Sequence, residues 1–300
     1  MSFPPIWQDN KYLPPELDIE FYRSRHADLA SYSDAELQAH FLNHGIAEGR
    51  MGSPAAARAP FLELIPLDEP VLEIGPFCNP ALRGPQVSYF DVLDREQSRA
   101  RARALGLSEA DCPYIDYCSP QGDLGIVDQK FLAAFSSHSI EHQPDFVRHL
   151  EGVADILESG GRYYMAVPDG RYCFDAFIPP SSIADILAAY AEARVVHSAG
   201  DVLEHRILLT HNDPVRHWNG DHLDPGGSDR IQHAHQALAE LATSAGRYID
   251  VHAWQFTPNS FQDNVNMLRE MGLCKFSVER IYSTVRNSLE FYVVLKLGVT

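Results

Sequence analysis

Short apolar runs alternate with stretches of helical periodicity over residues 61–169, and this alternation constrains the fold more than any other feature. Strands that are separated by helices form a parallel sheet with helices on both faces. The alternation breaks after residue 169 and resumes near residue 256, where two further apolar runs are joined by the short link 283–288. The sequence therefore predicts an α/β fold: a seven-stranded, mostly parallel, doubly wound sheet with an antiparallel last strand. The predicted strands are 71–74, 87–90, 114–116, 131–136, 162–167, 274–282 and 289–297.

The predicted helices carry recognisable start and stop signals. The helix over 95–105 follows Asp94, which reads as its N-cap, and the helix over 258–271 follows Thr257 in the same role. The helix over 144–157 precedes Gly160 and Gly161, and glycine commonly ends a helix because it accepts a positive φ. We therefore expect this glycine pair to form the C-cap.

The chain divides into a short helical segment and one larger domain. Residues 1–60 are predicted to form an N-terminal helical segment that ends in a linker over 52–60. Residues 61–300 form the main domain, with an insertion at 170–256 after the fifth strand, rich in His, Asp, Asn and Pro. The first fifteen residues have neither the basic nor the apolar region of a signal peptide, and no apolar run could span a bilayer, so we expect a cytoplasmic protein.

Charge and cysteine content exclude several function classes. With 24 basic and 41 acidic residues the formal net charge is −17, which disfavours binding to a phosphate backbone. Nucleic acid is therefore not an expected partner. The five cysteines are scattered and form no C-x-x-C pair, so we predict buried thiols and no disulfide framework or zinc ribbon.

Glycine and an acidic residue stand where two neighbouring strands end. Gly75 ends the first strand, in Leu-Glu-Ile-Gly-Pro, and removes the Cβ that would block a ligand from the backbone. Asp91 ends the second strand and can accept hydrogen bonds from ribose hydroxyls. Asp94 is the competing candidate, and its capping pattern favours the helix role instead.

These stretches resemble class I S-adenosylmethionine-dependent methyltransferases, of the kind similar to methyltransferase type 11. The resemblance covers about residues 68–170 and 256–298; its most specific part is the Ser-His-Ser-Ile-Glu-His-Gln-Pro-Asp string followed by helix, Gly-Gly and strand. Pro76 stands where many members carry a second glycine. The looser glycine pattern implies S-adenosylmethionine as cofactor and argues against NAD, whose pyrophosphate needs the fuller pattern.

By this resemblance the cofactor lies along the ends of the first four strands. Glu73 and Gly75 are expected beside its methionine part, Asp91 at its ribose, and Asp116 near its adenine amino group. Ser137 and His138 are expected to line it after the fourth strand. The predicted cofactor-binding set is Glu73, Gly75, Pro76, Asp91, Asp116, Ser137 and His138.

Histidines are the candidate catalytic residues, because an acceptor hydroxyl must lose its proton as the methyl group arrives. His142 follows the fourth strand, and Asp145 is close enough in sequence to orient its ring. Three further candidates lie in the insertion, where Asp221 could orient the last of them: His211, His217 and His222. Two other interpretations remain open: structural histidines, and a metal site formed by His211, Asp213, His217, Asp221 and His222. The spacing fits no standard zinc pattern, so no metal is predicted and activity should survive chelation.

The segment 17–54 resembles a short helical module of bacterial proteins associated with glycosyltransferases and surface polysaccharide synthesis. The matching residues are Phe21-Tyr22, Asp28-Leu29, His40-Phe41-x-x-His44-Gly45 and Glu48-Gly49-Arg50. The resemblance implies a glycan acceptor and a glycosyltransferase partner. The alternative is that the segment only caps the sheet.

The leading hypothesis is O-methylation of a sugar or glycan precursor. One rival is a non-catalytic scaffold or binding protein of a polysaccharide-synthesis system, and another is a small-molecule N- or lipid methyltransferase. The combination of Glu73, Gly75 and Asp91 favours catalysis, since a fold that binds no cofactor is expected to have no physical need for it.

Overall fold

The structure is a computed structural model that describes residues 16–224 and 229–298. Residues 1–15, on which the expectation of no signal peptide rests, lie outside the described residues. No helix in the two described ranges is both long and apolar enough to cross a membrane.

Seven strands form one sheet in the order β3-β2-β1-β4-β5-β7-β6. Neighbouring strands are parallel from β3 to β5, whereas β7 is antiparallel to both β5 and β6. The predicted fold class is confirmed. The strands are β1 Val71–Ile74, β2 Val87–Asp91, β3 Tyr117–Cys118, β4 Phe131–Ser137, β5 Leu157–Pro168, β6 Phe276–Tyr282 and β7 Glu290–Leu297.

Most of the α-helices in the described ranges begin at a side chain that accepts a free N–H group of the first turn. Asp94 and Gln97 form a capping box before α4, and Thr257 and Ser260 form one before α10, so both predicted N-caps are confirmed. The helices are α1 Ile19–Arg25, α2 Asp34–His40, α3 Arg58–Leu62, α4 Arg95–Ala104, α5 Phe146–Ile156, α6 Ile183–Ala191, α7 Ala199–Leu208, α8 Pro214–Trp218, α9 Arg230–Ser244 and α10 Pro258–Glu270.

Two local predictions are wrong. The third strand lies at Tyr117–Cys118 rather than at 114–116, because the Asp116 side chain takes the Tyr89 N–H that a sheet partner would otherwise bind. The glycine pair 160–161 does not cap α5. That helix ends at Ile156, and Leu157 already has the extended backbone of β5. Gly160, with φ of +79°, instead lies in the irregular start of the strand, where the pairing register with β4 shifts.

The cysteine prediction is also wrong in part. Cys78 and Cys112 form a disulfide, although 34 residues separate them in sequence. Cys78 follows β1 and Cys112 precedes β3, and the fold brings both segments to the same edge of the sheet beside the α4 residue Ala102. Cys118, Cys173 and Cys274 are free thiols.

The predicted linker over 52–60 is part of the packed structure. Ala55 and Ala56 are buried, and α3 runs across the expected boundary at residue 60. Phe61 of α3 is fully buried against three aromatic rings of the sheet, and stacks on Tyr292 with the ring centroids 4.7 Å apart. Full burial of a phenylalanine side chain stabilises a fold by about 2–3 kcal/mol. Helix α3 therefore anchors the N-terminal segment to the sheet.

Candidate cofactor and acceptor site

The carboxyl ends of β1 and β4 form the switch point of the sheet. These strands are neighbours, but the chain leaves β1 towards β2 on one side and later returns to β4 on the other. In open α/β sheets a crevice opens at this point, outside the carboxyl ends of the strands, and ligands bind there. Gly75 follows β1 directly, with a φ of +73°, and is exposed at this edge.

Glu73 supports the loop that follows β1. Its buried carboxylate accepts hydrogen bonds from the N–H groups of Ala81 at 2.8 Å and Leu82 at 2.9 Å. Burial raises the pKa of Glu73 to about 7. Glu73 therefore has a structural role in fixing this loop, so its presence beside Gly75 and Asp91 does not by itself require a cofactor. Its contact with a methionine group remains a prediction, as does that of the buried Pro76.

Asp91 ends β2 and reaches the same loop. Asp91 is only 7% exposed. Its carboxylate accepts hydrogen bonds from the N–H of Phe77 at 3.1 Å and from the N–H of Leu93 at 3.2 Å. Burial raises the pKa of Asp91. Asp94, the competing ribose candidate, is occupied as the N-cap of α4. Asp91 therefore remains the candidate for the ribose contact at the end of β2.

Asp116 stands elsewhere than expected, before β3 and not after it. Its carboxylate accepts from Tyr89 N at 2.9 Å, and its own N–H donates to Tyr89 O at 3.0 Å. Tyr89 lies two positions before the end of β2, so Asp116 is held against the strand edge. Its contact with adenine stays a prediction without support from this position.

Ser137 and His138, at the end of β4, join a charged network that the sequence interpretation missed. Arg58 binds Glu290 through two hydrogen bonds of 2.9 and 2.5 Å, and also donates to Ser137 Oγ at 3.0 Å. His138 Nε2 lies 2.8 Å from the same Glu290, which begins β7. Although burial opposes ionisation, His138 and Arg58 lower the pKa of Glu290 to about 2. The two predicted cofactor residues therefore face a fixed ion pair.

His142 lies in a short 3-10 turn, Ile140–His142, directly after β4. Its Nδ1 is 3.0 Å from Asp250 Oδ1, an ion-pair distance that is not well aligned for a hydrogen bond. Although burial opposes protonation, Asp250 and then Glu141 raise the pKa of His142. The expectation that Asp145 orients this ring is wrong, because Asp145 caps α5 and pairs with Arg148.

Around His142 lies a buried cluster that contains both carboxylates and imidazoles. His252 packs its ring edge-on against His142 with centroids 4.6 Å apart, and its Nδ1 is 2.6 Å from Asp175 Oδ2. Glu141, which is fully buried, points between the two imidazoles. The segment after α9 is held there because Ala253 N donates to Glu141 O at 2.8 Å.

The histidine-rich string forms a separate stack. His217 Nδ1 lies 2.8 Å from His222 Nδ1, and its Nε2 contacts the carbonyl of His211. Both ring nitrogens of His211 are also engaged, by Asp221 O and Asp213 N. Burial lowers the pKa of His217 to about 4. The ring nitrogens of His211 and His217 are therefore engaged within the protein, and a role as the base stays a prediction without support from this geometry.

The acidic residues of the string do not support the predicted roles either. Asp221 pairs with Arg216 at 2.7 Å instead of orienting His222, whose ring is held by His217. Asp213 accepts from the first N–H groups of α8. The metal interpretation of this string is wrong, since its donors do not converge on one point. Within residues 16–224 and 229–298 the group whose donors converge is Glu141, His142 and His252.

Tyr172 and Trp218 form a stacked aromatic pair close to the start of β7. Their centroids lie 3.9 Å apart with the rings nearly parallel, and Trp218 Nε1 donates to Ser288 O, just before β7. Tyr163, by contrast, is fully buried in the core and bonded to Ser136 and His149.

No protein-family model and no curated protein matches the chain. Among solved structures, the DhpI–SAH complex is 14% identical and covers 94% of this chain and 96% of that chain, with a TM-score of 0.40. An S-adenosylmethionine-dependent methyltransferase from Mesorhizobium loti is 15% identical over 80% of this chain and 98% of that chain, also at 0.40. The mitomycin 7-O-methyltransferase MmcR is 10% identical over 91% of this chain, at 0.39, and the match spans 60% of its own length. The match to the glycopeptide N-methyltransferase MtfA likewise spans 54% of that protein. Likeness at this level assigns no function to this chain.

Proposed function

We propose that the chain is a methyltransferase that uses S-adenosylmethionine, and that its acceptor is a hydroxyl group of a sugar or glycan precursor. The observation that carries the proposal is the switch point of the sheet between β1 and β4, where ligands of open α/β folds bind. Gly75 at the end of β1 and Asp91 at the end of β2 stand on its one side, and His142 after β4 stands on the other. A nucleoside-containing ligand and a second reactant thus have adjoining places.

The residues on the first side fit this cofactor. Gly75 is exposed and presents no side chain, so a ligand can approach the backbone. The Asp91 carboxylate lies at the end of β2, where its oxygens can accept hydrogen bonds from ribose hydroxyls, and burial raises its pKa. Residues 75–86, all described, form turns without a helix, so no helix N-terminus is present there to hold a pyrophosphate. This favours S-adenosylmethionine over NAD.

Bound S-adenosylmethionine supplies a methyl group on a positively charged sulfur. The chain's own residues have three tasks around it. Asp91 holds the ribose, the loop fixed by Glu73 shapes the crevice, and His142 accepts the proton of the acceptor hydroxyl. Asp250 supports that last task, because a carboxylate beside the imidazole stabilises its protonated form.

Two observations support a sugar acceptor. The stacked pair of Tyr172 and Trp218 lies next to the start of β7; the Arg171 guanidinium lies over the Tyr172 ring, so the Trp218 ring is the one proposed to pack against the C–H face of a sugar. The resemblance of residues 17–54 to a module of glycosyltransferase-associated proteins points the same way. A glycosyltransferase partner is part of this proposal.

The proposal is tested by incubating the purified chain with S-adenosylmethionine and a panel of sugar nucleotides, free sugars, amines and phospholipids. Release of S-adenosylhomocysteine and the gain of one methyl group are followed by mass spectrometry. We expect transfer to a hydroxyl-bearing sugar. Transfer only to amines or lipids would refute the acceptor class, and a folded chain that binds no cofactor would be a scaffold or binding protein instead.

A further inference from the structure

Three donor atoms converge at the buried cluster beside His142. Glu141 Oε1 lies 3.8 Å from His142 Nε2 and 3.8 Å from His252 Nε2, and the three atoms all lie within 4.8 Å of one another. These separations are too long for direct hydrogen bonds. Two ligands bound at about 2.1 Å to one metal ion stand roughly 3.0–3.6 Å apart for bond angles of about 90–120°. The cluster needs only small side-chain movements to reach that spacing.

Glu141 is the most informative member. It is 0% exposed, and neither carboxylate oxygen has a hydrogen-bond partner in the described chain. Burying an ionised carboxylate without a partner is strongly unfavourable, so native structures pair such groups or bind them to metal ions. Its Oε1 faces the imidazoles of His142 and His252, and His138 Nδ1 lies 3.8 Å from the same oxygen while its Nε2 is engaged by Glu290. The unpartnered carboxylate therefore indicates that a positive charge belongs between the imidazoles of His142 and His252.

The outer partners of the two histidines prepare them as ligands. His252 Nδ1 lies 2.6 Å from Asp175, and His142 Nδ1 lies 3.0 Å from Asp250. The hydrogen bond between His252 Nδ1 and Asp175 favours the tautomer that carries the proton on Nδ1, which leaves the lone pair of His252 Nε2 free, whereas Asp250 acts on His142 through its charge. Carboxylates in this position are the usual second shell of metal-binding histidines. The lone pair of His252 Nε2 then faces the Glu141 carboxylate, an arrangement that is repulsive unless a cation lies between them.

The charge of the cluster agrees with a divalent ion. Glu141, Asp175 and Asp250 contribute three negative charges, and Arg101, which binds Asp250 Oδ2 at 2.7 Å, contributes one positive charge. With neutral imidazoles the sum is three minus one, a net charge of −2. A bound divalent cation would neutralise it.

We propose that Glu141, His142 and His252 bind one divalent transition-metal ion of the zinc or manganese type. Two imidazoles and one carboxylate suit such ions, whereas Mg²⁺ prefers an all-oxygen set. Three protein ligands leave at least one position open for an exogenous oxygen. This site replaces both the expectation of no metal and the alternative placed on the histidine-rich string.

The role of the ion, unlike the site itself, rests on the proposed function. The site directly follows β4, so its open position adjoins the place assigned to the acceptor. There the ion would orient the acceptor hydroxyl and lower its pKa, so that the O–H proton would pass to solvent water as the oxygen gains the methyl group, in place of the transfer to His142. His142 would then act as a ligand, and Asp250 would be a positioning residue.

The experiment uses the full chain, freed of any affinity tag, stripped with EDTA and dialysed. Zn²⁺ alone, Mn²⁺ alone and Mg²⁺ alone are titrated by calorimetry without S-adenosylmethionine, and Co²⁺ is added to record its visible absorption. We expect one Zn²⁺ ion per chain and much weaker binding of Mg²⁺. The visible absorption of bound Co²⁺ should be that of an ion with a low coordination number. Glu141→Gln and His252→Ala should each weaken Zn²⁺ binding at least about 100-fold.

His205→Gln is the matched control, because His205 faces the same Asp175 at 3.7 Å but is not in the donor group. It should change Zn²⁺ affinity less than about threefold. Asp175→Asn keeps all three ligands and should weaken binding about 10–100-fold, which tests the site even where Glu141→Gln fails to fold. Absence of stoichiometric Zn²⁺ binding, or binding that Glu141→Gln and His252→Ala leave intact, would overturn the proposal. Titration with S-adenosylmethionine in parallel separates the two claims, since either ligand can bind without the other.

Discussion

Replacement of Asp91 by alanine tests the cofactor side of the crevice. The carboxylate is buried at the end of β2, and each charge-assisted hydrogen bond to a ribose hydroxyl contributes roughly 1.5–3 kcal/mol. Loss of two such bonds corresponds to roughly 3–6 kcal/mol as an upper range, and every 1.4 kcal/mol is about tenfold in affinity. We therefore expect Asp91→Ala to weaken S-adenosylmethionine binding at least about 100-fold.

The loop contact of Asp91 must be separated from a ribose contact. Alanine also removes the acceptors for the N–H groups of Phe77 and Leu93, whereas Asp91→Asn keeps one carbonyl oxygen for the Phe77 bond but loses the charge and replaces the other oxygen by an NH2 donor. Asparagine should therefore cost about tenfold in affinity. Asp94→Ala is the control: it removes the α4 cap at a cost of about 1 kcal/mol in stability, and cofactor affinity should not change.

The assay is calorimetric titration of each folded variant with S-adenosylmethionine, with folding checked by circular dichroism. Unchanged affinity in Asp91→Ala would show that this carboxylate does not hold the ribose. An equal loss in Asp91→Ala and Asp94→Ala would mean that the effect comes from general destabilisation of the region.

Three further predictions follow from named contacts. His142→Ala should lower turnover about 10²–10⁴-fold and leave cofactor affinity nearly unchanged, as steady-state kinetics and calorimetry would show; normal turnover would remove His142 from the reaction. Glu290 has a pKa lowered to about 2 despite burial, from an ordinary value of 4.5, so its pairing with His138 and Arg58 stabilises the fold above about pH 4.5 and is lost as the pH falls towards 2. Glu290→Gln should thus cost on the order of 1–3 kcal/mol in denaturant unfolding at pH 7 and less at pH 3.5, and a cost independent of pH would contradict this. Phe61→Ala should cost about 3–5 kcal/mol if α3 belongs to the same cooperative unit as the sheet, and a cost below about 1 kcal/mol would show that it does not.

The sheet was predictable because its central strands are buried on both faces and read as continuous apolar runs. Strands β1, β4 and β7 follow this rule. The two-residue β3 was misplaced because no apolar run marks it, and a single side-chain contact from Asp116 decides where pairing begins. The position of Gly160 was predicted wrongly because a glycine with positive φ occurs in irregular parts of a strand as well as at helix ends.

The candidate site was only partly predictable. Asp91 and His142 follow strands, and position at a strand end is visible in the sequence. Asp250 and His252 come from the end of the insertion and carry no motif; they meet Glu141 only because the chain after α9 folds back onto the turn behind β4. The Arg58–Glu290 pair joins positions 232 residues apart, which no local pattern could indicate. A local signal for the cluster was the Ser-His-Ser-Ile-Glu-His string. Its histidines were considered as site residues, but its glutamate, Glu141, was not.

Direct binding of S-adenosylmethionine to the unmodified chain tests the central claim. Calorimetric titration of the purified protein with S-adenosylmethionine, and separately with NAD, requires no knowledge of the acceptor. We predict one S-adenosylmethionine site per chain and no comparable binding of NAD, because no helix begins between residues 75 and 86 to hold a pyrophosphate. A folded protein that binds no S-adenosylmethionine at millimolar concentration, or that prefers NAD, would contradict the proposed function.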